Sequence, residues 1–203
     1  MKTGVFIIES LDLEDEVNEL FEGKIITQML KMLGVEVYYT YIRTKKELKV
    51  MIDRYENSNY KYLHISCHGT KKGIGMTLDA DVIPYSKFSN MFSYEGNNQR
   101  LFLSSCSALK GDYALEGLHD TQFLSVTGPL NNIAFSDAVV FWSSFYHLMF
   151  KKSIKRMEND HFKDTLNKLS STFNLNMCTL IRVGQNYNRH EFKYKKQKDL
   201  QLS

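Results

Sequence analysis

Two short apolar runs constrain this chain more than any other feature. The first is KYLHISCHG, residues 61–69, and the second is RLFLSSCSAL, residues 100–109. Each is apolar at successive positions rather than alternate ones, so each predicts a strand covered on both faces, as in the middle of a parallel sheet. Each closes on small polar residues and presents a reactive side chain there. The first delivers His68 followed by Gly69; the second delivers Cys106 behind Ser104 and Ser105. In open parallel sheets, chemistry gathers beyond the carboxyl ends of the strands. Neighbouring strands would bring this imidazole and thiol together at one rim.

Such a pair suits nucleophilic catalysis. The thiolate is the attacking form of cysteine, and a nearby imidazole favours it and later protonates the leaving amine. Gly69 lets backbone approach a substrate closely, and N–H groups at Gly69 and Cys106 would form an oxyanion hole. The plain alternative for Cys106 is a buried structural thiol. Cys67, adjacent to His68, points to the opposite face of its strand and is expected to pack under a helix. His64 shares a face with His68 but lies deep in the sheet, as a core histidine with satisfied nitrogens. A metal cluster of His64, Cys67 and His68 conflicts with strand alternation, so no metal and no cofactor is expected. Cys178 falls in a late apolar segment and reads as core, and His147, inside an aromatic helix, as packing.

Strand–His–Gly, a hairpin-like insert and strand–Ser-Cys together resemble the caspase-like cysteine peptidases, most closely their bacterial CHAT-type branch. The matching stretches are HISCHG (64–69), GIGMTLDADVIPYSKF (73–88), LFLSSCSA (101–108) and FLSVTGPLNNIAFSDAVVFWSSFYHLMF (123–150). The resemblance implies an α/β, three-layer caspase-like fold: a mostly parallel central sheet of about six strands flanked by helices. It implies a cysteine endopeptidase with a His68–Cys106 dyad, acting on protein substrates as a regulated effector in stress or defence, with a regulatory protein partner. A catalytically silent, partner-binding module of the same fold is the competing reading. The metazoan caspase signature Gln-Ala-Cys-Arg-Gly is absent, so cleavage after Asp is not carried over.

In order along the chain, GVFII (4–8) reads as a first strand and residues 12–33 as one helix capped by Asp12, burying Val17, Leu20, Phe21, Ile25, Met29 and Met32 or Leu33, with Gly34 ending it. Residues 35–42 give a second strand, and Thr44 caps a helix to about residue 55. After the first signature run, residues 73–83 read as a small hairpin, 84–92 as a short helix and 95–98 as a loop. Beyond Cys106, residues 108–118 read as helix, 122–127 as strand and 128–132 as loop. Ser136 is expected to cap a helix over 137–152, with another at 161–173 and a last strand at 177–183. Strands alternating with helices predict a parallel, doubly wound sheet.

Composition excludes several classes. The chain has 203 residues and 43% apolar composition, enough for one sizeable core, and only two prolines. A peptidase domain is placed at 1–184 and a basic, flexible tail at 185–203. No apolar run approaches the roughly 20 residues of a membrane span, so no membrane association is expected. Three cysteines at no metal-like spacing point to the reducing cytoplasm. The net charge of +3 is unevenly spread, with acids near the start and cations in the tail. A solvated tail is preferred to nucleic-acid contact. For substrate choice, Glu9, Asp12 and Asp137 are candidates for the floor of a specificity pocket that would take Lys or Arg. Their ordinary alternative is that of acids near helix starts.

Overall fold

The computed structural model describes residues 2–93, 98–121 and 123–194. In chain order the elements are β1 (Lys2–Ser10), α1 (Leu13–Val17), α2 (Glu22–Met32), β2 (Glu36–Tyr41), α3 (Lys45–Glu56), β3 (Tyr60–Cys67), β4 (Gly69–Thr70), β5 (Gly73–Ile74) and β6 (Ile83–Pro84). Then follow α4 (Tyr85–Ser89), β7 (Arg100–Ser104), α5 (Tyr113–Gly117), β8 (Ser125–Pro129), α6 (Phe135–Lys152), α7 (Asn159–Thr172), β9 (Met177–Val183) and β10 (Asn186–Phe192). The main sheet has seven strands in the order β10-β9-β8-β7-β3-β1-β2. Its five strands from β8 to β2 are mutually parallel, and β9 and β10 run antiparallel at one edge. β4, β5 and β6 form a separate small sheet.

Helices cover both faces. On one face α2, α6 and α7 bury Ile26, Leu30, Phe141, Trp142, Phe145 and Phe162 against Val5, Ile7, Tyr62 and Phe102 of the sheet. On the other, α3, α4 and α5 meet Phe6, Ile8, Leu63, Ile65, Leu101 and Leu103. That double cover explains why β3 and β7 are apolar at successive positions. Thr44 caps α3 through a full capping box with Glu47, and Gly34 takes a φ of +69° after α2, both as the sequence predicts.

The structure corrects several expectations. The single helix over 12–33 is two. Asp12 does cap α1 by accepting the Asp15 N–H, but α1 ends at Val17 with Asn18 as its C-cap, and Glu19 turns the chain with a φ of +57°. The break resets the helical phase, so Val17, Ile25 and Met32 face solvent while Ile26 and Leu30 are buried. Residues 105–112 run as turns, leaving only α5 helical in the predicted 108–118 span. β8 begins at Ser125 and takes in Gly128 and Pro129, expected as loop; Gln122 and residues 95–97 of the loop expected at 95–98 lie outside the described residues. α6 starts from Ala134 with no side-chain cap, so Ser136 lies within its first turn, and His147 faces solvent instead of packing.

The sheet also extends past the boundary set at 184. β10 pairs with β9 from Asn186 to Phe192, and the Tyr187 hydroxyl donates to the Phe123 carbonyl at 2.7 Å. Its polar, cation-bearing pattern is that of an edge strand, which reads in sequence like a tail. The Arg189 guanidinium donates to the Leu109 and Gly111 carbonyls, and Lys193 pairs with Glu191. The cations beyond residue 194 lie outside the described residues.

Candidate active site

β3 and β7 are adjacent parallel strands, and their register sets Ser66 opposite Ser104. Two residues further along each chain come His68 and Cys106. Their side chains therefore leave the same carboxyl rim of the sheet. Both line one small cavity of about 50 Å³, together with Glu22, Ser104, Ile133 and Phe135.

The turn carrying Cys106 is stitched to the chain that follows β8. Ser107, with a φ of +56°, donates its N–H to the Asn131 carbonyl at 2.9 Å, and Leu109 donates to Pro129 at 3.0 Å. A non-glycine residue in the left-handed region is a small store of strain of the kind found at functional turns. The half-buried Cys106 Sγ lies 3.6 Å from the Ile133 carbonyl. Among the described residues, the Cys106 backbone N–H has no acceptor. Cys67 contrasts with it: buried in the core cluster, its thiol is pushed up to about 12 by loss of hydration. Part of Cys67 still reaches the cavity wall.

His68 is held from outside the sheet. Its Nε2 lies 2.6 Å from the Asp15 carboxylate and 3.4 Å from that of Asp12, and its ring stands edge-on to Phe135 at 5.8 Å between centroids. With Nε2–H donated to Asp15, the neutral imidazole keeps its lone pair on Nδ1. Behind it, Gly69 passes so close to the Cys106 turn that a Cβ would sit 1.9 Å from Ser105 Oγ and 3.0 Å from the Gly73 carbonyl. Glycine is required here by contact between the two signature loops.

Beneath the cavity lies a buried polar group that sequence reasoning passed over as one acid in a cluster. Glu22, 1% exposed, accepts hydrogen bonds from Ser66 Oγ at 3.0 Å and Ser104 Oγ at 2.9 Å, and lies 3.2 Å from His64 Nε2. His64 Nδ1 meets the Tyr146 hydroxyl at 3.0 Å, so His64 is the satisfied core histidine expected. The signal was present in the paired serines of two otherwise apolar strands, since buried hydroxyls need acceptors. Asp15 likewise carries no sequence signal beyond its place near a helix start.

The three acids proposed for a specificity floor separate. Glu9 is fully buried, accepting from the Gly23 N–H and the Tyr39 hydroxyl, each at 2.7 Å. Burial raises its pKa to about 7 and pushes Tyr39 up as well. It anchors the start of α2 and lines no part of the cavity. Asp12 is exposed beside His68, and Asp137 is exposed in the first turn of α6. Asp12, Asp15 and His68 are also the one trio among the described residues whose ligand atoms converge as for a metal. Hydrogen bonding of the histidine by its carboxylates accounts for that convergence.

No protein-family model matches the sequence, and no curated protein matches it. Solved structures do. A secreted C11 cysteine protease of Bacteroides thetaiotaomicron, iotapain, superposes with a TM-score of 0.55 at 12% identity, over 89% of this chain and 67% of that one. A C11 protease structure from the same organism, bound to an irreversible peptide inhibitor, gives 0.53 at 6% identity, over 88% and 66%. The separase–securin complex of Saccharomyces cerevisiae gives 0.48 at 15% identity, over 83% of this chain and 11% of that one. This chain thus spans about two thirds of the length of the C11 structures. At such identities the likeness is one of fold. It bears out the three-layer arrangement expected from sequence, with seven strands in place of six. No described helix is long and apolar enough to cross a membrane.

Proposed function

We propose that this chain is a cysteine endopeptidase of the CHAT-type caspase-like branch, with Cys106 as nucleophile and His68 as its base and acid. One observation carries the reading: the Ser66–Ser104 register sets His68 and Cys106 at equivalent points beyond neighbouring strands, on one cavity. The fold shared with solved cysteine proteases supports it.

In this mechanism the Cys106 proton passes to His68 Nδ1, while Asp15 holds the Nε2 proton and favours the imidazolium so formed. The thiolate attacks the peptide carbonyl. The N–H groups of Cys106 and Gly69 receive the developing oxyanion. The tetrahedral adduct collapses as His68 gives its proton to the leaving amine, leaving a thioester on Cys106. His68 then draws a proton from water, which attacks the thioester and releases the acid and the free thiol. Asp12 and Asp137 would favour a basic side chain in the substrate. The protein acts in the cytoplasm, consistent with three unpaired thiols.

The cavity bears on regulation. At about 50 Å³ it is far smaller than the several hundred Å³ of a typical ligand pocket. A partner or signal that opens it would switch the enzyme on, in the manner of a regulated effector. The same closure favours the competing reading, a silent module that binds a partner. Purified protein incubated with a positional-scanning peptide library separates them. Cleavage that disappears in Cys106→Ala, with the circular dichroism spectrum unchanged, supports the enzyme. Cleavage that persists at the same rate in that variant rejects the assignment.

A further inference from the structure

The largest cavity described is elsewhere. It lies at the amino ends of the strands, opposite the His68–Cys106 rim, and has a volume of about 460 Å³. Lys61 near the start of β3, Arg100 at the start of β7, Arg156 between α6 and α7, and Asn159 at the start of α7 face it, with Tyr62 and Met157 as apolar wall.

Arg100 is the informative residue. It is 2% exposed, in a strand otherwise wholly apolar up to Ser104. Burying a guanidinium is costly unless its charge is matched. Every partner described for it is neutral: Ser125 Oγ at 2.8 Å, the Met157 carbonyl at 3.0 Å, Asn159 Oδ1 at 2.6 Å, and the Phe162 ring at 4.5 Å. Burial and the neighbouring Arg156 charge both work against the cation, and its pKa falls to about 10.

The surroundings add positive charge. Lys61 Nζ donates to the Lys155 carbonyl, and Arg156 is exposed at the mouth. Among the described residues, no carboxylate lies within ion-pair distance of Lys61, Arg100 or Arg156. Of the two acids near the start of α7, Glu158 is exposed and makes no cap bond, and Asp160 turns to Lys163 at 3.2 Å. The positive end of the 14-residue α7 opens on the same space. Three cations without a carboxylate, around a space of small-molecule size with a tyrosine wall, describe a receptor for an anion larger than a single ion.

We propose that this cavity binds a small organic phosphate, its phosphate groups held by Arg100, Arg156 and Lys61 and its organic part against Tyr62 and Met157. The ligand sits on the rim remote from His68 and Cys106, so it does not compete with a peptide there.

Isothermal titration of the full chain with inorganic pyrophosphate, a nucleoside triphosphate and a hexose bisphosphate, at fixed ionic strength, tests this. Saturable binding of either organic phosphate, tighter than pyrophosphate and weakened about tenfold or more in Lys61→Ala/Arg156→Ala, supports the proposal. Both changes are at partly or fully exposed positions, so the fold is expected to survive, and an unchanged melting temperature confirms that it does. No saturable heat from any probe at millimolar concentration overturns the proposal. So does equal affinity in the folded double variant. Pyrophosphate binding as tightly as the organic phosphates would reduce the site to one for a bare anion and reject the organic part.

Discussion

The two rims of the sheet are opposites. At the carboxyl ends, a small cavity is bordered by His68, Cys106 and Glu22, and Asp12 and Asp15 hold the histidine. At the amino ends, a cavity about nine times larger is bordered by Lys61, Arg100 and Arg156. The same strands supply both, since β3 runs from Tyr60, beside Lys61, to Cys67 and β7 from Arg100 to Ser104. Buried charge is handled differently at each end. Glu22 is surrounded by donors that answer it, whereas Arg100 has only neutral acceptors. A fully answered group reads as architecture, and an unanswered one as a place for something else.

Substitutions that act on one rim alone sharpen this contrast. The largest expected effect is that of His68→Ala, which should lower kcat/KM for peptide cleavage by about 10²–10⁴. Lys61→Ala/Arg156→Ala should change the same constant by less than about twofold in the absence of added phosphates. Parallel peptide kinetics on both variants checks the pair, and similar losses in both would merge the two rims. Next is Glu22→Ala. It strands Ser66, Ser104 and His64, and should cost about 3–5 kcal/mol in urea unfolding. A loss below about 1 kcal/mol would mean that the network carries little of the fold.

A smaller effect is expected at Asp15. Asp15→Asn keeps the shape but not the charge beside His68 Nε2, and should lower kcat for peptide cleavage about tenfold. An unchanged kcat would make Asp15 only a helix-start acid. The mildest effect concerns Glu9. Its pKa is about 7 when folded against 4.5 ordinarily, so the folded protein holds the proton more tightly. The resulting stabilisation is complete below about pH 4.5 and is lost as the pH rises through about 7. Glu9→Gln should flatten the melting temperature over that window, where the parent loses at most about 1.4 kcal/mol per pH unit. An equal slope in both proteins would refute this.

How much of this was legible depended on whether a residue's neighbours were near in sequence. Thr44 with Glu47, Gly34 after its helix, and the β9 boundaries were readable because the signals are local. The adjacency of the His68 and Cys106 strands was readable from their shared pattern of double burial. Glu22 was not, since its partners lie 42 to 82 residues away. The break at Glu19 was hidden because nothing but its backbone angle marks it; Val17 and Ile25 fit a continuous helix equally well. β10 escaped notice because an edge strand that faces solvent carries the charges of a tail. Arg100, printed inside an apolar run, was visible all along but had no meaning until Ser125, Met157 and Asn159 were placed around it.

Intact-mass measurement after reaction with a thiol-reactive peptide electrophile tests the central claim most directly. A single adduct is predicted, mapped to Cys106, formed much faster than on a free thiol and slowed strongly in His68→Ala. Modification no faster than a small-molecule thiol, or falling on Cys67 or Cys178 instead, would contradict it.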